Sequence, residues 1–292
     1  MDKSIPQSIN ENLNHALSSW ETWGSPLQHK PRVLKNLGGV TRRTYLIEDK
    51  DSKTLLTLRL TANHYAQLNI DWERERFILD AIKDIGVAPK LFYMDQYVQI
   101  REFLIGRHPV RGEQDESVVT SIAETIRLVH QQKIPDSYPI SVRNELNYYY
   151  TRVSDSLLKE SIENMHEVIL DLLASTDGQL TSKYTLTICH NDLLPENILI
   201  TPSGVRILDW EYAGLGNPLF DVAVFLEGAQ MDDKKLNIFL DTYGCQGSID
   251  VIRNYQLVYK YLELLWWLVK DSKITTYSEI LLNSLKYRLN FN

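Results

Sequence analysis

Cysteine is nearly absent from this sequence. Cys189 and Cys245 are the only two in 292 residues, which excludes a disulfide framework and leaves no cysteine spacing for a zinc site. Long apolar runs are missing as well. The first twenty residues, MDKSIPQSINENLNHALSSW, hold no apolar core of signal-peptide length. The most hydrophobic later stretch, LELLWWLV, is too short for a bilayer and carries Glu263. A reducing, cytoplasmic location without a membrane span is therefore expected. There is no internal repeat, no low-complexity tract and no block of like charge. Basic residues do not predominate: 31 Lys and Arg stand against 38 Asp and Glu, a formal charge of −7. A nucleic-acid partner, which needs surplus Lys and Arg gathered on one face, is not expected. The sign suits a small cation better.

What the sequence does have is a globular composition, 43% hydrophobic and 24% charged, with enough length to bury a large core. Over residues 31–103 four strand-like segments, VLKNL, TYLIE, TLLTLRL and YVQIREFL, accompany one helix, LNIDWERERFILDAIKDIG. In that helix Trp72, Phe77, Ile78, Ala81, Ile82 and Ile85 recur near the helical period, and Gly86 with Pro89 supplies the stop. Beyond Gly106 the pattern turns helical, near 117–132, 144–174, 219–228, 232–243, 248–271 and 276–289, interrupted by a compact ILI/VRIL pair around Ser203 and Gly204. The expectation is an α+β chain, with a sheet-rich part over 1–105 and a larger helical part over 106–292. Trp20 and Trp23 point to an N-terminal helix packed on the first part.

The chemistry is concentrated in residues 190–227, HNDLLPENILITPSGVRILDWEYAGLGNPLFDVAVFLE, where Asp192, Glu196, Asp209, Glu211, Asp221 and Glu227 accompany a single basic residue, Arg206. A hairpin turning at Ser203 and Gly204 would open at Asn197 and close at Asp209, setting an amide and a carboxylate at one end of the ladder. Such a pair suits a hard cation; magnesium takes oxygen ligands, usually one or two carboxylates together with substrate phosphates. Asp192, five positions before Asn197, would lie in the loop entering the hairpin, placed to accept a proton from an attacking hydroxyl. His190 is expected to order that loop through backbone hydrogen bonds, and Asp221 to anchor it.

His190, Asp192 and Asn197 fall on an H-x-D-x-x-x-x-N spacing, and ILDWEYAG follows. On these residues the chain resembles the aminoglycoside phosphotransferase and choline kinase superfamily. The resemblance implies a protein-kinase-like two-lobe fold, with a small antiparallel-sheet N-lobe holding one helix and a mostly helical C-lobe. It implies ATP and Mg2+ as cofactors, Asp192 as catalytic base, and Asn197 and Asp209 as metal ligands. LGGVTRRTYLIE resembles the family's phosphate loop, with Gly38, Gly39 and Thr41 approaching phosphates. In LTLRL, Arg59 takes the third-strand position that protein kinases fill with Lys, and Glu75 matches its acidic partner. IREFLIG resembles the hinge, where backbone groups of Glu102 or Leu104 would bind adenine.

HNDLLPEN, LDWEYAG and FDVAVFLE together are most similar to bacterial choline and thiamine kinases. A quaternary ammonium needs aromatic faces and carboxylates. Glu211, Tyr212, Glu227 and Trp266 are accordingly the acceptor-side candidates. The late helix of choline kinases presents W-x-x-W, whereas ELLWWLVK has Glu263 at the earlier position. The expected activity is phosphorylation of a cationic alcohol, choline or ethanolamine, with thiamine or an aminoglycoside as the alternative acceptor. A nucleotide-binding pseudokinase is the alternative of another class.

Overall fold

Asp71 caps the helix expected between the third and fourth strand-like segments, its side chain accepting from the amides of Glu73 at 2.9 Å and Arg74 at 3.1 Å. In the computed structural model, which describes residues 9–61, 67–113, 115–133, 138–179 and 186–291, that helix ends in a 3₁₀ turn over Lys83–Ile85, and Gly86 at φ 66° closes it. The chain divides into two compact units, Met1–Ile105 and Gly106–Asn292. The first eight residues of the N-terminal segment lie outside the described residues.

The first unit holds helix α1 (Ile9–Ser18), strands β1 (Arg32–Gly38), β2 (Arg42–Glu48) and β3 (Leu55–Thr61), helix α2 (Trp72–Ile82), and strands β4 (Leu91–Met94) and β5 (Val98–Glu102). The strands form one antiparallel sheet in the order β1-β2-β3-β5-β4. It has one strand more than the four that alternation marks in the sequence. β4, LFYM, is four residues long, shows no alternation and pairs only with β5.

The pleat gives the sheet two unlike faces, because successive side chains point to opposite sides. One face presents Tyr45, Ile47, Leu56, Leu58, Leu60 and Ile100, packed with Ala16, Leu17, Trp23 and Leu27 in a single apolar core. The N-terminal helix and the 3₁₀ turn over Trp20–Trp23 are thus part of this core, as the two tryptophans suggested. The other face carries Arg42, Arg59, Gln99 and Arg101, all buried, together with Glu75 of α2. Register explains the grouping: Thr44 faces Arg59, Arg59 faces Gln99, and Thr57 faces Arg101.

The second unit contains α3 (Glu116–His130), α4 (Val142–Arg152), α5 (Ser156–Ser161), α6 (Glu163–Gln179), α7 (Pro218–Ala229), α8 (Asp233–Tyr243), α9 (Ile249–Asp271) and α10 (Thr276–Arg288). Two short antiparallel ladders complete it, β6 (Thr187–Cys189) with β9 (Gly214–Gly216) and β7 (Ile198–Thr201) with β8 (Gly204–Ile207). The single helix expected over 144–174 is three. Val153 leaves the helical region at ψ 115°, and Asp155 starts a new helix by accepting from the Leu158 amide at 3.0 Å. Helix α7, buried along most of its length, is the centre of the unit, and α9 packs against it, α6, α4 and α10. No helix among the described residues is long and apolar enough to cross a membrane.

Trp23 is 1% exposed within the apolar face of the sheet. Replacing it with alanine is expected to lower the unfolding free energy by about 3–5 kcal/mol in a urea titration. A loss below about 1 kcal/mol would show that the N-terminal segment is not integral to this core.

Candidate active site

The β7–β8 pair is a tight hairpin in which Ile198 faces Ile207 and Thr201 faces Gly204. Pro202 and Ser203 make its loop, and Gly204 follows at φ 113°, a conformation open to glycine. The Leu208 amide donates to the Asn197 carbonyl at 2.7 Å, so the ladder runs on past the last strand pair. Asn197 and Asp209 therefore leave the ladder at the same end. Asp209 turns at φ 60°, ψ 63°, a left-handed conformation uncommon outside glycine and tolerated best by Asn and Asp. Trp210 behind it is fully buried and donates its indole N–H to the Ile207 carbonyl at 2.8 Å.

The loop before the hairpin is clamped from two sides. Asp221, in the first turn of α7, accepts the His190 amide at 2.6 Å and the Asn191 amide at 2.7 Å, while His130 Nε2 lies 3.1 Å from its Oδ2. His190 Nε2 donates to the Leu208 carbonyl at 2.7 Å, and its ring meets Trp210 edge to face. Asn191 also adopts a left-handed backbone, φ 63°, and its amide reaches the Tyr212 carbonyl at 3.0 Å.

This scaffold sets Asp192 beside Asn197. Asn197 Nδ2 donates to the Asp192 carbonyl at 2.8 Å and to its Oδ2 at 3.2 Å, which fixes the amide and leaves Oδ1 as the atom it can offer a cation. Asp192 Oδ1 accepts from Tyr259 of α9 at 2.9 Å. Burial, reinforced by the charges of Asp209 and Glu263, pushes the Asp192 carboxyl up to about 7 against the hydrogen bonds from Tyr259 and Asn197. Asn197 Oδ1 and the Asp209 carboxylate are hard oxygen donors of the kind magnesium takes.

The other acceptor-side candidates divide. Trp266 Nε1 donates to the Tyr212 hydroxyl at 2.7 Å, so those two side chains do come together. Glu211 is buried in the 3₁₀ turn over Trp210–Tyr212, and its charge helps raise the hydroxyls of Tyr149 and Tyr212, both raised chiefly by burial. Glu227 is paired with Arg288 of α10, whose Nη1 and Nη2 donate to it at 2.8 and 3.4 Å.

In the first unit, Gly38 and Gly39 turn the β1–β2 loop at φ 87° and 120°, and a Cβ on Gly39 would collide with the Arg42 carbonyl. The Gly38 amide is engaged within the loop by Asn36 Oδ1 at 2.9 Å. Thr41 is buried at the start of β2. Glu75 is bonded by Arg42 Nη1 at 2.6 Å and by Gln99 Nε2 at 3.0 Å, while Arg59 Nη1 donates to Gln99 Oε1 at 3.2 Å. Burial alone would raise the Glu75 carboxyl, but the charges of Arg42, Arg59 and Arg101 outweigh it and hold it below its usual range. Arg59 is thus one of three guanidinium groups acting on Glu75, where the sequence reading named it alone. The Glu102 amide donates to the Lys90 carbonyl at 2.9 Å at the end of β5, and Leu104 follows beyond the strand.

Arg42 and Tyr259 are absent from the sequence candidates, and Glu263 appears among them only as a departure. Arg42 had a local signal, its place directly after the Gly-Gly loop. Tyr259 had a periodic one, since it precedes Glu263 by four residues and Trp266 by seven on α9.

Asp221→Ala would strip the acceptor from two buried amides and leave His130 without its carboxylate. The expected cost is about 3–5 kcal/mol in chemical denaturation. Wild-type stability would mean that Asp221 is not the clamp of this loop.

A phosphotransferase enzyme family model matches residues 32–253. The LicA homolog of Mycoplasma capricolum is 28% identical over 189 residues, 64% of this chain and 74% of that one. LicA of Haemophilus influenzae is 22% identical over 265 residues, 86% of this chain and 77% of that one. The crystal structure of choline kinase LicA from Streptococcus pneumoniae has the same fold, with a TM-score of 0.79 at 17% identity, covering 97% of this chain and 99% of that one.

Proposed function

The chain belongs to the phosphotransferase enzyme family, and we propose that it is an ATP- and magnesium-dependent kinase of a small cationic alcohol, choline or ethanolamine. The observation that carries this reading is the placement of Asp192. Its carboxylate is held by Asn197 and Tyr259 at the mouth of a hairpin whose two ends carry Asn197 and Asp209.

In the proposed reaction the acceptor oxygen forms a bond to the γ-phosphorus as the bond from that phosphorus to the bridging oxygen of ADP breaks. The hydroxyl proton passes to Asp192. Asn197 and Asp209 would hold magnesium, which when bound neutralises charge on the phosphate oxygens. In the first unit, Arg59, kept in place by Gln99 and the field of Glu75, would grip phosphates, with Gly38, Gly39 and Thr41 lining the loop. Backbone groups of Glu102 or Leu104 would meet adenine. Glu211, Tyr212 and Trp266 would border the acceptor. Glu227, paired with Arg288, would add negative charge on the acceptor side.

The acidic surroundings of Asp192 favour a cationic acceptor, and the likeness to LicA, a choline kinase in Streptococcus pneumoniae, supports choline. The alternative, a silent nucleotide-binding protein, is disfavoured by the convergence of Asp192 and Asn197 with Tyr259.

Asp192→Asn is expected to cut turnover by at least about 10²-fold in an ATP-consumption assay while a thermal-shift titration still registers nucleotide. Undiminished turnover would end the assignment of Asp192 as base. Removing divalent cations with a chelator should abolish phosphorylation of choline and ethanolamine, and Asp209→Ala should raise the magnesium concentration needed to restore it. Activity indifferent to the chelator would refute the metal assignment. A panel of choline, ethanolamine, thiamine and an aminoglycoside identifies the acceptor; stabilisation by nucleotide without turnover on any of them would favour the silent binder.

A further inference from the structure

One face of α9 carries Tyr259, Glu263, Trp266, Trp267 and Lys270, which recur at the three- and four-residue steps that align side chains along a helix. Tyr259 ties this face to Asp192 through its hydroxyl. Glu263 stands one turn farther on, and its charge is felt at both Asp192 and Tyr259. It is held firmly. The Tyr277 hydroxyl of α10 donates to Oε1 at 2.6 Å, and Lys260 Nζ donates to Oε2 at 3.0 Å. A carboxylate has about four acceptor directions, so two bonds do not exhaust it.

The aromatic side chains of the same face are differently placed. Lys270 Nζ lies 4.4 Å from the centroid of Trp267 and 5.8 Å from that of Trp266. Trp266 and Trp267 meet edge to face at 5.0 Å, and Trp267 meets Tyr277 at 5.3 Å. The indoles therefore contact each other, and Trp267 also meets Tyr277 and the chain's own ammonium group. A quaternary ammonium has no N–H to donate and depends on aromatic faces. An ammonium that keeps a hydrogen gains a charge-assisted bond from a carboxylate.

Resting on the kinase reading above, we propose that Glu263 is the specificity-determining residue for the acceptor, selecting an amino alcohol whose nitrogen still carries a hydrogen over one that is quaternary. The carboxylate would receive the N–H while the hydroxyl of the same molecule meets Asp192. Tyr277 and Lys260 act as positioning residues, fixing the carboxylate.

The test is a methylation series on one skeleton: 2-aminoethanol, its N-methyl and N,N-dimethyl forms, and choline. For the wild-type chain kcat/KM is expected to fall by about tenfold or more at the last methylation, where the final N–H disappears. Glu263→Gln keeps the shape and removes the charge, and should reduce that step to about threefold or less. Tyr277→Phe, which leaves the carboxylate but frees it to turn, should weaken the same step by a smaller factor. Choline used as well as its dimethyl analogue by the wild-type chain would overturn the proposal, a result that needs no variant to fold. An unchanged step in Glu263→Gln would overturn it as well. Turnover on none of the four acceptors would instead refute the cationic-alcohol reading on which it rests.

Discussion

A 2.7 Å bond from the Leu208 amide to the Asn197 carbonyl carries the β7–β8 ladder one residue past its last strand pair. Without it the two residues flanking the hairpin would diverge as loop ends do. With it, Asn197 and Asp209 start from neighbouring backbone positions at one end of a rigid element. The left-handed turn at Asp209 belongs to the same constraint. A chain continuing straight from β8 would carry the carboxylate away along the strand, and the buried Trp210, bonded back to Ile207, holds the bend in place. The Asp221 clamp does for the preceding loop what the ladder does for the hairpin, fixing backbone amides so that side chains arrive already oriented.

Two carboxylates, Glu75 buried and Asp192 half-buried, show how far neighbours decide a group's chemistry. Glu75 and Asp192 both lose water on folding, which by itself favours the neutral form of each. Arg42, Arg59 and Arg101 reverse that outcome for Glu75, keeping it ionised as the fixed centre of a guanidinium cluster. Around Asp192 the nearby charges, Asp209 and Glu263, have the same sign as its own, and burial prevails. A carboxylate set among other acids gains most from a cationic ligand. This is the physical link between the acidic surroundings of Asp192 and the class of acceptor proposed, and it is independent of which residue contacts the cation.

Local and periodic features were legible in the sequence, and pairings across long intervals were not. The hairpin could be read because its turn, its β-formers and its flanking polar residues all lie within thirteen positions. The α2 helix could be read from its stop at Gly86 and its apolar period. The strand β4 escaped because its four residues at a sheet edge, three of them half-buried, carry no alternation, and the 144–174 span reads as continuous because its break comes from a cap, not from proline or glycine. Asp192 and Tyr259 are 67 residues apart, and no pattern in either segment announces the bond between them. Arg59 and Gln99 meet through strand register, a property of the folded sheet. The pairing of Glu227 with an arginine 61 residues later is equally unmarked in either segment.

The first unit shows why so charged a surface can be buried at all. Three guanidinium groups and a carboxylate inside a small sheet would be a poor foundation, since desolvation can cancel much of what such pairs gain. The pleat confines them to one side. On the other, Leu56, Leu58, Ile47 and Ile100 are buried completely or nearly so and pack with Trp23 from outside the sheet, which is where apolar burial contributes the stabilising free energy. The alternation that sends Leu58 to the core sends Arg59 to the opposite face. A one-residue slip of β3 would exchange them, costing the core and the cluster together. Stability and charge placement therefore depend on the same register.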